Sequence, residues 1–190
     1  MSILDIALVH APVYNKNMEV ITSSVTNLDI HDIARCAATY GVRSYYIVHP
    51  SPAQHDLTRR IMGFWQEGVG ADYNPDRREA FGHVKLVSTL QEVREDICRD
   101  NPKKKIYQVA TDARLYPNTI GYEDLRERVH GHGREEEEAY LLVFGTGSGI
   151  VREEMERSDY ILRPIYGPGD YNHLSVRSAA AIILDRLCGQ

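Results

Sequence analysis

The residues that most invite a chemical reading lie late in the chain, at Leu141-Leu-Val-Phe144-Gly145-Thr146-Gly147-Ser148-Gly149-Ile150. A strand-like apolar run opens into three glycines at alternate positions, so the backbone can take positive φ and approach a ligand closely. Amides in such a loop can cradle an anion or meet the edge of an adenine ring. The plain alternative is a tight turn ahead of a helix. Spacing removes several sharper readings. A dinucleotide fingerprint needs a glycine where Ile150 stands, and a phosphate loop needs Lys-Ser/Thr where Ile150-Val151 stands. A nucleophile elbow needs glycines two residues either side of Ser148, where Thr146 and Ile150 stand.

A second loop follows, Arg163-Pro-Ile165-Tyr166-Gly167-Pro-Gly169-Asp170-Tyr-Asn172-His-Leu174-Ser175-Val176, too rich in Gly, Pro and polar groups for a minimal connection. Asp170 is its best-placed proton acceptor, with a turn aspartate as the alternative. Asn172 or Ser175 can cap the helix that follows. A third loop, Thr111-Asp112-Ala113-Arg114, closes another apolar run and offers Arg114 to a phosphate or substrate. Earlier, Arg35 stands on the polar side of a helix, where it can bind phosphate bidentately or pair with Asp32. His130-Gly-His132 lacks a third ligand nearby, so no metal site is expected and a flexible loop is preferred.

These loops need a scaffold. Short apolar runs at 4–9, 43–48, 84–87, 105–110, 140–144 and 159–165 predict six strands. Helical patterns at 29–40, 55–66, 89–99, 122–129, 152–157 and 175–187 fall between and after them. Continuous apolar strands separated by helices predict an α/β fold, a mostly parallel six-stranded sheet with helices on both faces. In such a sheet, ligands sit at the carboxyl ends of the strands, where all three loops lie. In the last helix, Val176, Ala179, Ala180, Ile183, Leu184 and Leu187 form a stripe that Ala181 and Ile182 widen. That surface predicts burial against the sheet and against a second subunit. Residues 50–78 read as a helix plus a partly irregular excursion carrying Trp65, Arg59, Arg60, Arg77 and Arg78.

The chain has 190 residues, 43% hydrophobic and 26% charged, which suits one folded domain over residues 1–190 and excludes disorder or coiled coil. With 22 Lys+Arg against 27 Asp+Glu, the net charge is −5, so any nucleic-acid binding must rest on a local patch. Three scattered cysteines suit free thiols, and no apolar stretch approaches a membrane span; a cytoplasmic location is expected.

The order of these segments resembles the SPOUT RNA methyltransferases. It is carried by Val143-Phe-Gly145-x-Gly147-x-Gly149-Ile150, Leu162-x-Pro-Ile165, and Asn172-x-Leu174-Ser175-Val176 before an Ala-rich helix. The stretch from Asp29 to Gly41, with Arg35, is similar to the family's first motif, and Thr111-x-Ala-Arg114 to its first cofactor loop. The resemblance implies a C-terminal trefoil knot, S-adenosylmethionine as cofactor, an RNA substrate (tRNA or rRNA) and a homodimer built on the C-terminal helix. It implies a cofactor pocket lined by Thr111, Gly145, Thr146, Gly147, Gly149, Ile165, Tyr166, Gly167, Asn172, Leu174 and Ser175. Arg35 and Asp170 would then act in catalysis, with Arg35 and Arg114 on the substrate. The ribose-methylating branch has an Asn ahead of the first-motif arginine and a Glu in the glycine loop. Here Asp29 or Ile30 and Thr146-Gly147 stand at those places, so base methylation is expected over ribose 2′-O methylation. A non-catalytic RNA-binding or assembly factor on the same fold is the alternative. A flavodoxin-like nucleotide-binding protein is weaker, because His10-Ala-Pro-Val-Tyr14 after the first strand contains no glycine.

Overall fold

The computed structural model describes residues 2–131 and 137–190. In chain order its elements begin β1 (Ile3–Val9), β2 (Val13–Tyr14), β3 (Val20–Ile21), α1 (Asn27–Thr39) and β4 (Ser44–Val48). Next come α2 (Pro52–Gln66), α3 (Val69–Tyr73), α4 (Pro75–Gly82), β5 (Val84–Val87), α5 (Leu90–Asp100) and β6 (Lys105–Ala110). The last are β7 (Thr119–Ile120), α6 (Tyr122–His130), β8 (Glu138–Gly145), α7 (Arg152–Glu156), β9 (Tyr160–Leu162) and α8 (Val176–Cys188).

The main sheet is parallel in every pairing and runs β5-β4-β1-β8-β6-β9-β7. Among the described residues it has seven strands where the sequence predicts six. The additional one, β7, is two residues long, too short to leave a periodic signal. Conversely, β9 stops at Leu162 rather than at 165, because Pro164 has no N–H to give a ladder. Both faces of the sheet are covered. Leu4, Ile6 and Leu8 of β1 point into a core shared with α1, α6 and α8, whereas Ala7 and Val9 point into one shared with α5 and α7. This is the period-2 alternation of a strand buried on both sides.

Two segments depart from expectation. Residues 50–78 are more regular than predicted, since α3 and the start of α4 follow α2. There Arg77 stacks on Trp65 at 4.1 Å and Arg59 pairs with Asp56 at 3.1 Å. The stretch after β1 forms a separate antiparallel hairpin, β2–β3, whose turn is held by Asn15 through the Asn17 and Glu19 amides. At the end of α6, the Nε2 of His130 lies 2.8 Å from the Leu187 carbonyl, while His132 lies outside the described residues.

Candidate functional site

Strands β8, β6 and β9 lie side by side, so their carboxyl ends deliver the glycine loop, the 111–114 loop and the 163–175 loop to one rim. Together with α8 and the start of α1 they enclose a cavity of about 820 Å³. That volume falls in the range of pockets that bury a small-molecule ligand.

The glycine loop turns sharply off β8. Gly147 has φ +61 and Gly149 φ +104, values that side chains other than glycine rarely adopt. Close packing reinforces the requirement: a Cβ on Gly147 would stand 2.6 Å from the Tyr14 carbonyl oxygen. The expectation that the loop's amides cradle a ligand needs correction. Thr146 N–H donates to Val9 O, Ser148 N–H to Tyr14 O, and Gly149 N–H to Thr146 O. The loop therefore offers its shape, its carbonyls and few free donors. Its glycines let it fit between the hairpin and the 111–114 loop.

The other two loops are tied to each other and to the sheet. Thr111 Oγ1 donates to Val143 O at 2.9 Å, and Asn172 Nδ2 donates to Ala113 O at 2.8 Å. Asp112 is buried and accepts from both the Nε and Nη2 of Arg114, a paired arrangement with strong directionality. Ser175 caps α8 by accepting from Ser178 N–H at 3.2 Å. Leu162, Ile165, Val176 and Ile183 supply an apolar wall, and Lys16, Arg114 and Arg163 bring positive charge to it.

Of the residues singled out in the sequence, Thr111, Gly145, Thr146, Gly147 and Gly149 line this cavity. So do Ile165, Asn172, Leu174, Ser175 and Arg114. Tyr166, Gly167 and Asp170 stand outside its wall, on an exposed arm of the loop. Arg35 also lies outside, on the exposed face of α1, and Asp32 faces Arg177 at 3.6 Å.

Sequence reasoning missed an N-terminal contribution to the cavity. The hairpin turn supplies Lys16 and Met18, and the strand-to-helix connection supplies Ser23, Ser24 and Thr26. Asp29, in the first turn of α1, is buried; its Oδ2 accepts from the Thr26 hydroxyl at 2.6 Å, and Arg177 stands 3.7 Å from Oδ1. On the wall itself, Ser23 Oγ lies 2.5 Å from Thr146 Oγ1, and it reaches back to His10 Nδ1 at 3.1 Å. Burial, and then the neighbouring His49, push the His10 pKa down to about 4, so its ring is neutral at pH 7. The only signal for this group was the polar run Thr22-Ser-Ser-Val-Thr26, which reads equally well as an ordinary helix entry.

The profile of a SAM-dependent RNA methyltransferase family matches residues 3–189. An uncharacterized protein from Aquifex aeolicus is 47% identical over 182 residues, 96% of this chain and 86% of that protein. A tRNA (guanine-N(1)-)-methyltransferase from Oleidesulfovibrio alaskensis is 44% identical over 96% of this chain, which spans 41% of that relative's length. Among solved structures, a probable methyltransferase from Bordetella pertussis superposes with a TM-score of 0.65 at 14% identity, covering 98% of this chain and 94% of that one. The SpoU methyltransferase AviRb from Streptomyces viridochromogenes, solved with AdoMet, gives a TM-score of 0.59 at 16% identity, covering 98% of this chain and 57% of that one. These structural likenesses concern the fold alone. By its profile the chain belongs to a SAM-dependent RNA methyltransferase family, and its fold is that of the solved SpoU and TrmH/SpoU enzymes.

Proposed function

We propose that the cavity at the carboxyl rim of β8, β6 and β9 holds S-adenosylmethionine, and that the chain methylates a base of tRNA or rRNA. The observation that carries this reading is the convergence of three strand-end loops on one cavity whose shape depends on Gly147 and Gly149. The residues present suit the cofactor. Leu162, Ile165, Leu174 and Ile183 offer apolar surface to an adenine ring, while carbonyls and hydroxyls of the loops offer acceptors to its amino groups.

When bound, S-adenosylmethionine supplies an electrophilic methyl group on a sulfonium. The protein's own part is to hold the acceptor in line and to take a proton where a ring N–H is the acceptor. Asp170, the carboxylate expected from the sequence, stands on the exposed arm of its loop. Asp29 is better placed, because it is buried on the cavity wall with Oδ1 turned towards Arg177. Asp112 is saturated by Arg114 and acts as a structural anchor. Arg114 lines the cavity and Arg35 lies outside it; both serve as phosphate contacts on the RNA.

The base, rather than the ribose, is the favoured acceptor because Asp29 or Ile30 and Thr146-Gly147 replace the Asn and Glu of the ribose-methylating pattern. Relatives named for guanine-N1 methylation support this in kind, although the chain matches only 41% of their length. The reading of residues 1–190 as one domain is supported by two cores that lie on the two faces of a single sheet. Ala181 and Ile182 on α8, half-buried in one copy, form part of a homodimer face. Among the described residues no helix is long and apolar enough to cross a membrane. Free Cys36, Cys98 and Cys188 suit a reducing cytoplasm.

The test is transfer of labelled methyl from S-adenosylmethionine to total tRNA and rRNA, followed by mass spectrometry of the nucleosides. A labelled methylated base is the expected product. A labelled 2′-O-methylnucleoside would overturn the base assignment, and cofactor binding without transfer to any RNA would favour the non-catalytic alternative.

A further inference from the structure

Helices α1, α2 and α4 pack against one another, and the half-buried ring of Trp65 is the centre of a cluster of aromatic rings and arginines between them. His31 of α1 stands perpendicular to the Trp65 ring at 5.5 Å and lies 4.8 Å from the Phe81 ring of α4. Arg77 of α4 covers Trp65 at 4.1 Å, and Phe64 meets the same ring at 5.0 Å. The Phe64 side of the cluster is open. That residue is 57% exposed, and the exposed Arg60, four positions before it, shares its face of α2.

The positive charge gathered here is not neutralised within the chain. Among the described residues Arg35, Arg60, Arg77 and Arg78 make no ion pair, unlike the neighbouring Arg59, which holds Asp56 at 3.1 Å. Packing covers the Nε of Arg77 and leaves its Nη groups at the surface. Burial lowers the His31 pKa, and Arg77 and Arg35 lower it further against the opposing Asp32, so both guanidinium groups bear on that ring. Asp32 itself faces Arg177 at 3.6 Å. On α4, Asp76 and Arg78 flank Arg77 on opposite sides, while Glu79 is about 200° around the helix and turns away from Trp65.

We infer that this face binds a single-stranded stretch of the RNA beside the nucleotide that is methylated. Arg60, Arg77 and Arg78 hold its phosphates, and Phe64 takes one unstacked base. Unpaired guanidinium groups in a chain of net charge −5 fit a polyanion. An exposed aromatic ring among them fits a polyanion whose bases are free to stack. A paired duplex keeps its bases inside the helix and offers Phe64 nothing. Helix α1 joins this face to the cofactor cavity: Thr26 and Asp29, at its start, line the cavity, and Arg35 lies six residues, about 9 Å, further along. RNA leaving the cavity along α1 therefore meets Arg35 first and the α2–α4 face next. This inference rests on the chain acting on RNA, and it adds where that RNA lies.

The experiment is an anisotropy titration of labelled oligouridine, and of an RNA duplex of equal length, at several salt concentrations. The single strand is expected to bind more tightly than the duplex, and to change the fluorescence of Trp65, the only tryptophan in the chain. Replacing two exposed arginines together, R60Q with R78Q, should weaken oligouridine and flatten the plot of log affinity against log salt by about 1.4, the share of two single-strand phosphate contacts. F64A should weaken it at least roughly fivefold, and F64W should restore it. All variants should keep the thermal transition and the S-adenosylmethionine affinity of the parent. Equal binding of duplex and single strand, or parental affinity and salt slope in the arginine variant and in F64A, would overturn the inference. So would a loss of self-association in F64A with RNA affinity unchanged, since the face would then belong to a second copy of the chain. S-adenosylmethionine affinity, measured calorimetrically on the unaltered chain, reads the cofactor cavity and so judges the proposed function independently.

Discussion

Gly149 and Asp112 are packed so closely that a Cβ on the glycine would stand 2.7 Å from Asp112 Oδ2 and 3.1 Å from Arg114 Nη2. A side chain at 149 would therefore press on the paired Asp112 and Arg114 as well as strain a backbone at φ +104. This ties the backbone freedom of one strand-end loop to the side-chain order of its neighbour, and both line the same cavity.

Gly149→Ala should accordingly damage cofactor binding more than folding. The positive φ and the clash together cost ~1–3 kcal/mol, of which about 1.4 kcal/mol corresponds to a tenfold affinity loss. Calorimetric titration of S-adenosylmethionine should show at least that loss, with a cooperative thermal transition retained.

Stability should fall in mild acid because of His10. Its pKa is about 4 in the fold and near 6.5 when unfolded, so between these values the unfolded chain binds a proton that the folded one does not. The contribution is complete above pH 6.5 and is lost as pH falls towards 4, up to ~3 kcal/mol in all. His49, also lowered by burial, acts in the same direction. Urea midpoints measured from pH 7.5 to 4.5 should decline, and His10→Asn should flatten that slope.

How much of this was readable beforehand varies with the physics of each element. Strands β5 and β6 were legible to the residue, because continuous apolar runs bounded by polar turns have few other solutions. The hairpin was not: β2 and β3 are two residues each, interrupted by a polar turn, and their place is set by contacts with Gly147 and Ser148 far along the chain. The cavity was half legible for the same reason. Its late loops announced themselves through glycine and proline. Ser23, Thr26 and Asp29 looked like any helix entry until the fold brought them to the rim. The loop amides were misassigned because nothing in the sequence shows that Val9 and Tyr14 accept from them.

Asp29→Asn and Asp170→Asn should behave differently. The first should lower kcat on RNA by 10²-fold or more, the scale of a lost general base, and leave S-adenosylmethionine affinity within a few-fold. The second should reduce kcat far less. Steady-state kinetics with one RNA substrate would separate them.

Arg35→Ala, on an exposed helix face, should raise the KM for RNA while cofactor affinity and thermal stability remain unchanged. A gel-shift titration at two salt concentrations should show a shallower salt dependence, as expected when one phosphate contact is removed.

Ile182→Glu should convert a dimer to a monomer in sedimentation velocity. A charge at that half-buried position opposes burial in an interface and leaves the folded monomer intact.

The most direct test is a crystal structure with S-adenosylhomocysteine. The ligand should lie in the cavity between the glycine loop, Ile165 and Leu174, with Gly147 and Gly149 keeping their positive φ. A ligand seated instead beside Leu90 and Glu154, or contacts that leave the 145–149 loop untouched, would contradict the account.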